Sequence, residues 1–254
     1  MVLLHLAEGQ SGLALANRLQ AVTLVVDVLR ASTTLAVLAS RGPRALYVTR
    51  EVERARKLAL ERPGTVLAGE RGGLPPEGFA LGNSPLEALG ALLRGKRVVF
   101  TSTTGAQRLA GLSPDCAALV AAPINARAAI KLAFKLATKV SRPIVVLAAG
   151  SEAVPPVFPL EDWAASALLA SRLIALGCAL QASEEYDKYQ QLLATEGLLK
   201  IFERSEHGSK LISLGLERDL WFCAQEDLLP AVPVRSRAAS ESPEFIKLLT
   251  HWQN

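Results

Sequence analysis

The sequence has few of the residues that mark several common classes of protein. Its three cysteines, Cys116, Cys178 and Cys223, lie far apart and form no C-x-x-C pair, so neither a zinc site nor a disulfide framework is indicated. No apolar run reaches about 18 residues without a charge, and the N-terminus lacks a basic segment followed by a long apolar core, so we expect neither a membrane span nor a signal peptide. We therefore expect reduced thiols in a cytoplasmic protein.

An excess of charge of one sign is also missing. The formal net charge is only +4, and no block of lysine and arginine is interleaved with aromatic residues, so we do not expect a nucleic-acid partner. No Gly/Ser-rich linker or internal repeat divides the chain. We predict a single domain over residues 1–254, with two closely packed lobes as the alternative.

The usual nucleotide and nucleophile motifs are absent as well. The sequence contains no G-x-x-x-x-G-K-[ST], no G-x-G-x-x-G, no G-x-S-x-G and no D-x-D-x-[TV]. The three histidines have no metal-ligand spacing. We interpret His5 and His251 as structural or terminal residues, whereas His207, in S-E-H-G-S-K, could approach a site.

What the chain does have is an alternation of short β-type runs and helical stretches over its first 150 residues, which is typical of an α/β protein. We predict strands at 3–6, 23–28, 45–49, 65–68, 97–101, 118–121 and 143–148. The helices predicted in this part are 32–40, 51–61, 84–93, 105–110 and 125–139. The remainder predicts helices at 160–176, 184–201 and 205–214, and strands at 220–224 and 231–235.

The first unusual loop reads D-V-L-R-A-S-T-T and follows the strand at 23–28. Ligands in open α/β sheets bind beyond the carboxyl ends of strands, and hydroxyls beside free N–H groups at a helix start can bind an anion. Arg30, Ser32, Thr33 and Thr34 fit that use. Alternatively, Ser32 caps the helix, and Asp27 is a turn-forming acid, a salt-bridged acid or a metal ligand.

The second loop is long, polar and rich in glycine. It reads G-E-R-G-G-L-P-P-E-G-F-A-L-G-N-S-P and carries Glu70, Arg71, Gly72, Asn83 and Ser84. The N-S-P segment predicts a helix cap followed by a proline in the first turn. A loop of this length between short elements favours function over structure alone.

Two further strand ends and one helix start carry polar residues. The strand at 97–101 leads into T-S-T-T-G, with Thr103, Thr104 and Gly105, and the strand at 118–121 leads into A-P-I-N-A, with Asn125. Glu161 and Asp162 begin the helix at 160–176. Acids there either suit the helix dipole or hold a hard cation such as Mg²⁺.

Taken together, these motifs resemble the 2-phosphosulfolactate phosphatase family. The resemblance rests on D-V-L-R-A-S-T-T, A-G-E-R-G-G, G-F-A-L-G-N-S-P, T-S-T-T-G-A, I-N-A, L-E-D and S-E-H-G-S-K-L-I-S-L-G-L-E-R-D-L, in family order from about residue 2 to residue 234. It implies a three-layer α/β/α fold with a mixed, largely parallel sheet. It also implies a Mg²⁺-dependent hydrolase that converts (R)-2-phospho-3-sulfolactate to sulfolactate, a step toward coenzyme M.

With this resemblance, we hypothesise metal-assisted hydrolysis of a small anionic phosphorylated substrate. Asp27, Glu70 and Asp162 are the candidate catalytic residues, and they hold Mg²⁺ together with Glu161. Attack by water is favoured over an aspartyl-phosphate intermediate on Asp27. The candidate substrate-binding residues surround these acids: Arg30, Ser32, Thr33, Thr34, Arg71, Gly72, Asn83, Ser84, Thr103, Thr104, Gly105 and Asn125. A homodimer is the default expectation.

One loop departs from the family pattern. Where the family has T-T-N-G-T, this chain has Thr104 in place of the asparagine and Ala106 in place of the last threonine. The alternatives are therefore a phosphatase for another small 2-phospho acid and a non-catalytic anion-binding relative. A phosphotransferase acting on a sugar phosphate is disfavoured because the nucleotide loop is missing.

Overall fold

Ten strands form one mixed sheet in the computed structural model, which describes residues 1–150, 158–236 and 245–252. They are β1 (Leu3–Glu8), β2 (Val22–Val26), β3 (Ala45–Val48), β4 (Val66–Gly69), β5 (Arg97–Thr101), β6 (Ala117–Val120), β7 (Ile144–Ala148), β8 (Ala179–Leu180), β9 (Ala231–Arg235) and β10 (Ile246–Trp252). Their order across the sheet is β4-β5-β3-β10-β9-β6-β2-β7-β1-β8.

Ten α-helices lie in the described part of the chain. They are α1 (Gly9–Leu19), α2 (Ala31–Ser40), α3 (Val52–Glu61), α4 (Pro85–Gly90), α5 (Gly105–Gly111), α6 (Ala126–Val140), α7 (Leu160–Ala175), α8 (Glu184–Arg204), α9 (Glu206–Ser213) and α10 (Glu217–Cys223). A single 3₁₀ turn, Pro123–Asn125, precedes α6. Helix α8 is interrupted at Gly197, whose φ of 73° is left-handed.

Most strand pairs in the sheet are parallel. Only β9 and β10 run antiparallel to each other and to their neighbours β6 and β3, and β6 meets β9 at the single pair Leu119–Val234. Every residue of β2 and of β7 is buried, which requires helices on both faces of the sheet. Helices α6 and α7 pack against these two strands, and α1 packs against β1 and β7. The predicted α/β fold with a mixed, largely parallel sheet is therefore confirmed.

Helix α1 packs very closely against the sheet. A Cβ at Gly12 would lie 2.6 Å from Cδ1 of Leu147 and 3.0 Å from the backbone of Ala7, so only glycine fits at this crossing. The sequence pattern does not predict α1, because Gly9 and Gly12 near its start lower helix propensity. It also missed the two-residue β8 and the terminal β10.

One predicted strand is wrong. The segment predicted as a strand at 220–224 lies in and just after helix α10. Leu220, Phe222 and Cys223 are buried while Trp221 is 56 % exposed, and a short apolar run cannot be assigned to strand or helix by periodicity alone. Glu217 and Asp219 in the first turn favour the helix through its dipole. The other predicted elements are present, with ends shifted by at most three residues.

The three cysteines are buried and unpaired, as the sequence predicts. They belong to one large hydrophobic cluster that runs along the sheet, beside a smaller cluster around Tyr47, Val99 and Phe245. None of the helices in the described ranges has an apolar stretch that could cross a lipid bilayer.

Candidate functional site

A cavity of about 430 Å³ lies where the loops after β2, β4 and β5 meet the starts of α7 and α9. Its wall combines acidic, basic and small residues. They are Asp27, Leu29, Arg30, Glu70, Gly72, Gly73, Asn83, Thr103, Thr104, Gly150, Pro159, Glu161, Asp162, Glu206, His207 and Lys210. The structure therefore brings together nine of the candidate site residues: Asp27, Arg30, Glu70, Gly72, Asn83, Thr103, Thr104, Glu161 and Asp162.

The three hydroxyls of the first polar loop hold the turn instead of lining the cavity. Ser32 Oγ accepts a hydrogen bond from the Asp27 N–H at 2.9 Å and donates to the Val25 carbonyl at 3.1 Å. Thr33 Oγ1 donates to the Val28 carbonyl, and Thr34 Oγ1 donates to the Asn83 carbonyl. The cap position of α2 is Arg30 and not Ser32. Each of these hydroxyls is bonded to the backbone, two of them within the turn and Thr34 to the loop after β4, and none of them lines the cavity.

Asp27 is the acid that this turn presents. Its carboxylate accepts hydrogen bonds from the N–H groups of Ala31 and Gly105, while burial raises its pKa from 3.8 to about 6, opposed by the charge of His207 and aided by Glu70. A Cβ on Gly105 would lie 2.8 Å from Asp27 Oδ2. Gly105 therefore contributes to the site by its backbone and by its lack of a side chain.

Asp162 faces the same space from the start of α7. Its Oδ1 accepts a hydrogen bond from the Val28 N–H at 2.8 Å, which ties α7 to the loop after β2. Burial, with the charges of Asp27 and Glu161, raises its pKa well above the usual value, even though backbone hydrogen bonds from Val28 and Gly150 oppose the shift. The carboxylates of Asp27 and Asp162 repel each other when both are ionised, and a bound cation would reduce that repulsion.

Glu70 joins the loop after β4 to the loop after β5. Its Oε1 accepts hydrogen bonds from the N–H and the hydroxyl of Thr103, at 2.8 and 3.0 Å, and its Oε2 accepts from the Gly73 N–H at 2.9 Å. Both carboxylate oxygens of Glu70 are thus engaged in holding the cavity wall.

Arg30 is the buried cation of the cavity. Its Nη1 donates to Asp219 Oδ2 and its Nη2 to the Gly73 carbonyl, both at 2.7 Å. Ser84 Oγ, which also caps α4, donates to the other oxygen of Asp219 at 2.7 Å. Ser84 therefore acts on the site through Asp219 and does not line the cavity.

Two candidate residues lie elsewhere. The Arg71 guanidinium donates to the carbonyls of Glu70 and Arg50 and to the Thr101 hydroxyl, so this network holds it away from the cavity wall. The Asn125 side chain accepts from the Ala122 N–H and donates to the carbonyls of Val120 and Ala231. Neither residue lines the cavity, and their polar atoms are bonded to other groups of the chain, so their role in binding the ligand stays a prediction.

Three further residues shape the site: the sequence indicates only that His207 could approach it, and it assigns no role to Lys210 or Asp219. Helix α9 brings His207 and Lys210 to the cavity, and α10 brings Asp219 to Arg30. Desolvation opposes protonation of His207, yet its hydrogen bond with Glu161 and the charges of Glu161, Asp27 and Glu70 raise its pKa. The signal that could have found these residues is the polar spacing of S-E-H-G-S-K and L-E-R-D-L, which by itself is also typical of a solvated helix face.

The cavity carries oxygen donors of the kind that bind a divalent cation. Within residues 1–150, 158–236 and 245–252, no three or more histidine, cysteine or acidic side chains are arranged to hold a metal ion. However, Mg²⁺ is usually held by one or two carboxylates together with waters and phosphate oxygens. Asp27 and Asp162 supply such a pair, and Glu161 Oε2 and Asn83 Oδ1 are buried oxygens without a hydrogen-bond partner in the described structure. The residues present fit a cation shared with a ligand better than a three-carboxylate cage.

Comparisons with known proteins agree on one family. The family profile described as 2-phosphosulpholactate phosphatase matches residues 11–238. The probable 2-phosphosulfolactate phosphatase of Thermus thermophilus is 41 % identical over 230 residues, covering 88 % of this chain and 92 % of that protein. Proteins with the same description from Deinococcus radiodurans and Carboxydothermus hydrogenoformans are 35 % and 34 % identical, over 84 % and 83 % of this chain and 86 % and 84 % of their own lengths.

Proposed function

Since this chain belongs to the 2-phosphosulpholactate phosphatase family, we propose that it hydrolyses 2-phosphosulfolactate to sulfolactate and phosphate with the help of Mg²⁺. Family membership makes the protein a phosphoric monoester hydrolase. The observation that carries the proposal is the mixed chemistry of the cavity, where Asp27 and Asp162 line the same 430 Å³ as the basic side chains of Arg30, His207 and Lys210.

This mixture of charges suits the proposed substrate. 2-Phosphosulfolactate carries a phosphate, a sulfonate and a carboxylate on a three-carbon frame. A cavity of acids alone would repel it, and a cavity of cations alone would leave no place for a metal ion. The Arg30 guanidinium, with a planar set of N–H donors fixed by Asp219, is suited to a phosphoryl oxygen.

Asp27 and Asp162 are the residues that would hold Mg²⁺, with Glu161 and Asn83 offering further oxygens. A divalent cation bound there would neutralise phosphoryl oxygens and orient water. In the hydrolysis a water oxygen forms the new bond to phosphorus, the bond from phosphorus to the C2 oxygen breaks, and that oxygen takes a proton. Glu70 keeps Thr103 at the wall during this exchange, and Arg30 binds the phosphoryl group.

Phosphate release tests the proposal. We expect the purified protein to release phosphate from 2-phosphosulfolactate with Mg²⁺, and to lose that activity in EDTA and regain it on adding Mg²⁺.

The same assay should include 2-phospholactate and 2-phosphoglycerate. These substrates test the second candidate function, a phosphatase for another 2-phospho acid, which is favoured because Thr104 lines the cavity in place of the family asparagine. Release from none of these substrates, combined with binding of a phosphonate analogue, would identify a non-catalytic anion-binding relative. Activity that persists unchanged in EDTA would exclude the Mg²⁺ requirement.

The remaining expectations stay part of the proposal. They are a homodimer, a cytoplasmic location, the absence of a nucleic-acid partner and a place on the route to coenzyme M. Light scattering on the purified protein measures the first of these directly.

A further inference from the structure

The three basic side chains of the cavity, Arg30, His207 and Lys210, differ in how far other groups of the protein already engage them. Arg30 is paired with Asp219 and the Gly73 carbonyl, and His207 Nδ1 lies 3.5 Å from Glu161 Oε1. Lys210 lines the same cavity and is exposed, and its ammonium group forms no ion pair or hydrogen bond with any part of the chain that the structure describes. Its charge is therefore not neutralised by any group of the described residues.

The backbone that carries Lys210 is firmly placed. Ser205 Oγ accepts a hydrogen bond from the Gly208 N–H at 2.9 Å and so caps α9. A Cβ at Gly208 would lie 1.8 Å from the Phe202 carbonyl oxygen, so α9 begins in close contact with the end of α8. His207 and Lys210 are three residues apart and share one helix face, which fixes the amine on the same side of α9 as the imidazole.

Lys210 lies nearer the surface than three of the other charged residues of the cavity. Arg30, Asp27 and Asp162 are at most 8 % exposed, whereas Lys210 belongs to the exposed rim. A small ligand whose phosphate contacts these three buried residues presents its other end to the rim of the cavity. We propose that Lys210 is the specificity-determining residue that binds the sulfonate of the substrate at the mouth of the cavity. This inference rests on the proposed function of the site.

The experiment compares two substrates that differ only in the sulfonate. Lys210→Ala should lower kcat/KM for 2-phosphosulfolactate by about tenfold, through a higher KM, because it removes one charge-assisted contact. For 2-phospholactate, which has a methyl group where the sulfonate would be attached, kcat/KM should change by less than about twofold. Lys210→Arg should retain most of the discrimination, since it keeps the charge.

Lys131→Ala, an exposed lysine on α6 that does not line the cavity, is the matched control and should change neither value. An equal loss with both substrates would mean that Lys210 binds the carboxylate or the phosphate, and no loss with either would remove it from the site. Both results overturn the inference.

Binding of the products separates this inference from the proposed function. Calorimetry with sulfolactate and with lactate needs no turnover. Weaker binding of sulfolactate alone to Lys210→Ala supports the inference even if the wild-type protein releases no phosphate. Unchanged binding of sulfolactate contradicts the inference even if the phosphatase activity is present.

Discussion

Arg30 and Asp219 form a buried ion pair, with Nη1 and Oδ2 2.7 Å apart and side chains only 2 % and 3 % exposed. The two residues lie 189 positions apart in the chain, and Ser84 satisfies the second oxygen of Asp219. Asp219 does not line the cavity. We therefore infer that it is a positioning residue, which fixes the guanidinium plane of Arg30 at the cavity.

Asp219→Asn should raise KM for the phosphorylated substrate at least about tenfold and lower the free energy of unfolding by roughly 3 kcal/mol, because a buried charge loses its partner. Steady-state kinetics and urea unfolding measure both effects. Asp227→Asn is the matched control, since Asp227 pairs with Arg172 away from the cavity, and it should lower stability while leaving KM unchanged. A loss of stability without a rise in KM for Asp219→Asn would reduce Asp219 to a structural residue.

Gly105→Ala should lower kcat about tenfold or more while the protein stays folded. The new Cβ would lie 2.8 Å from Asp27 Oδ2 and 3.1 Å from the Ala31 Cβ, so the carboxylate must move, and small displacements in a site have large kinetic effects. Gly90→Ala, where nothing lies within 4 Å of the added Cβ, serves as the control. Equal kinetics in the two variants would show that the position of Asp27 is not critical.

Asp27→Asn should stabilise the protein at neutral pH in EDTA by up to about 3 kcal/mol, at about 1.4 kcal/mol per pKa unit. The pKa of Asp27 is about 6 in the folded protein, and its usual value is 3.8. At a pH between these two values, the folded state therefore retains a proton that the unfolded chain has lost. The Asp27 contribution to the stability of the wild-type protein therefore falls as pH rises from about 4 to about 6 and is constant above that. Urea unfolding from pH 4 to pH 8 should show the gap between the two proteins widening over this window, and no widening for the exposed Asp187→Asn. A gap that is constant with pH would contradict the raised pKa.

Asn125→Ala should lower the free energy of unfolding by about 2 to 3 kcal/mol, since it removes the partners of three buried backbone groups. We expect KM and kcat, measured well below the unfolding temperature, to stay within about twofold of wild type. A selective rise in KM would restore Asn125 to the substrate-binding residues.

The sequence predicts the parts of this protein that depend on local pattern. Apolar runs and helical spacing predict most strands and helices but not α1, α10, β8 or β10, and polar strand ends locate Asp27, Glu70 and Thr103. The assignment failed where one pattern has two physical meanings. The short apolar run around Leu220 is compatible with a helix and with a strand. Only the folded structure shows that it forms α10, with one side of the helix buried.

The side-chain placements at the site that the sequence does not predict have a related cause. Anion sites often contain hydroxyl and amide groups such as those of Ser32, Thr33 and Asn125. In the folded protein these groups form hydrogen bonds with the backbone instead. Conversely, Lys210 and Asp219 look like ordinary charges on helix faces, and only the packing of α9 and α10 brings them to a loop near the other end of the chain. Such pairings depend on tertiary contacts that no local pattern encodes.

Several charged side chains of the cavity are held in place by hydrogen bonds to backbone peptide groups. Asp162 binds the N–H of Val28, Glu70 binds the N–H groups of Gly73 and Thr103, and Arg30 binds the Gly73 carbonyl. A peptide group is the same whatever side chain follows it. Thr104 lines the cavity and its side chain forms none of these bonds, so it can be exchanged without disturbing them. A library confined to that position therefore offers a route to enzymes that accept new phosphorylated acids.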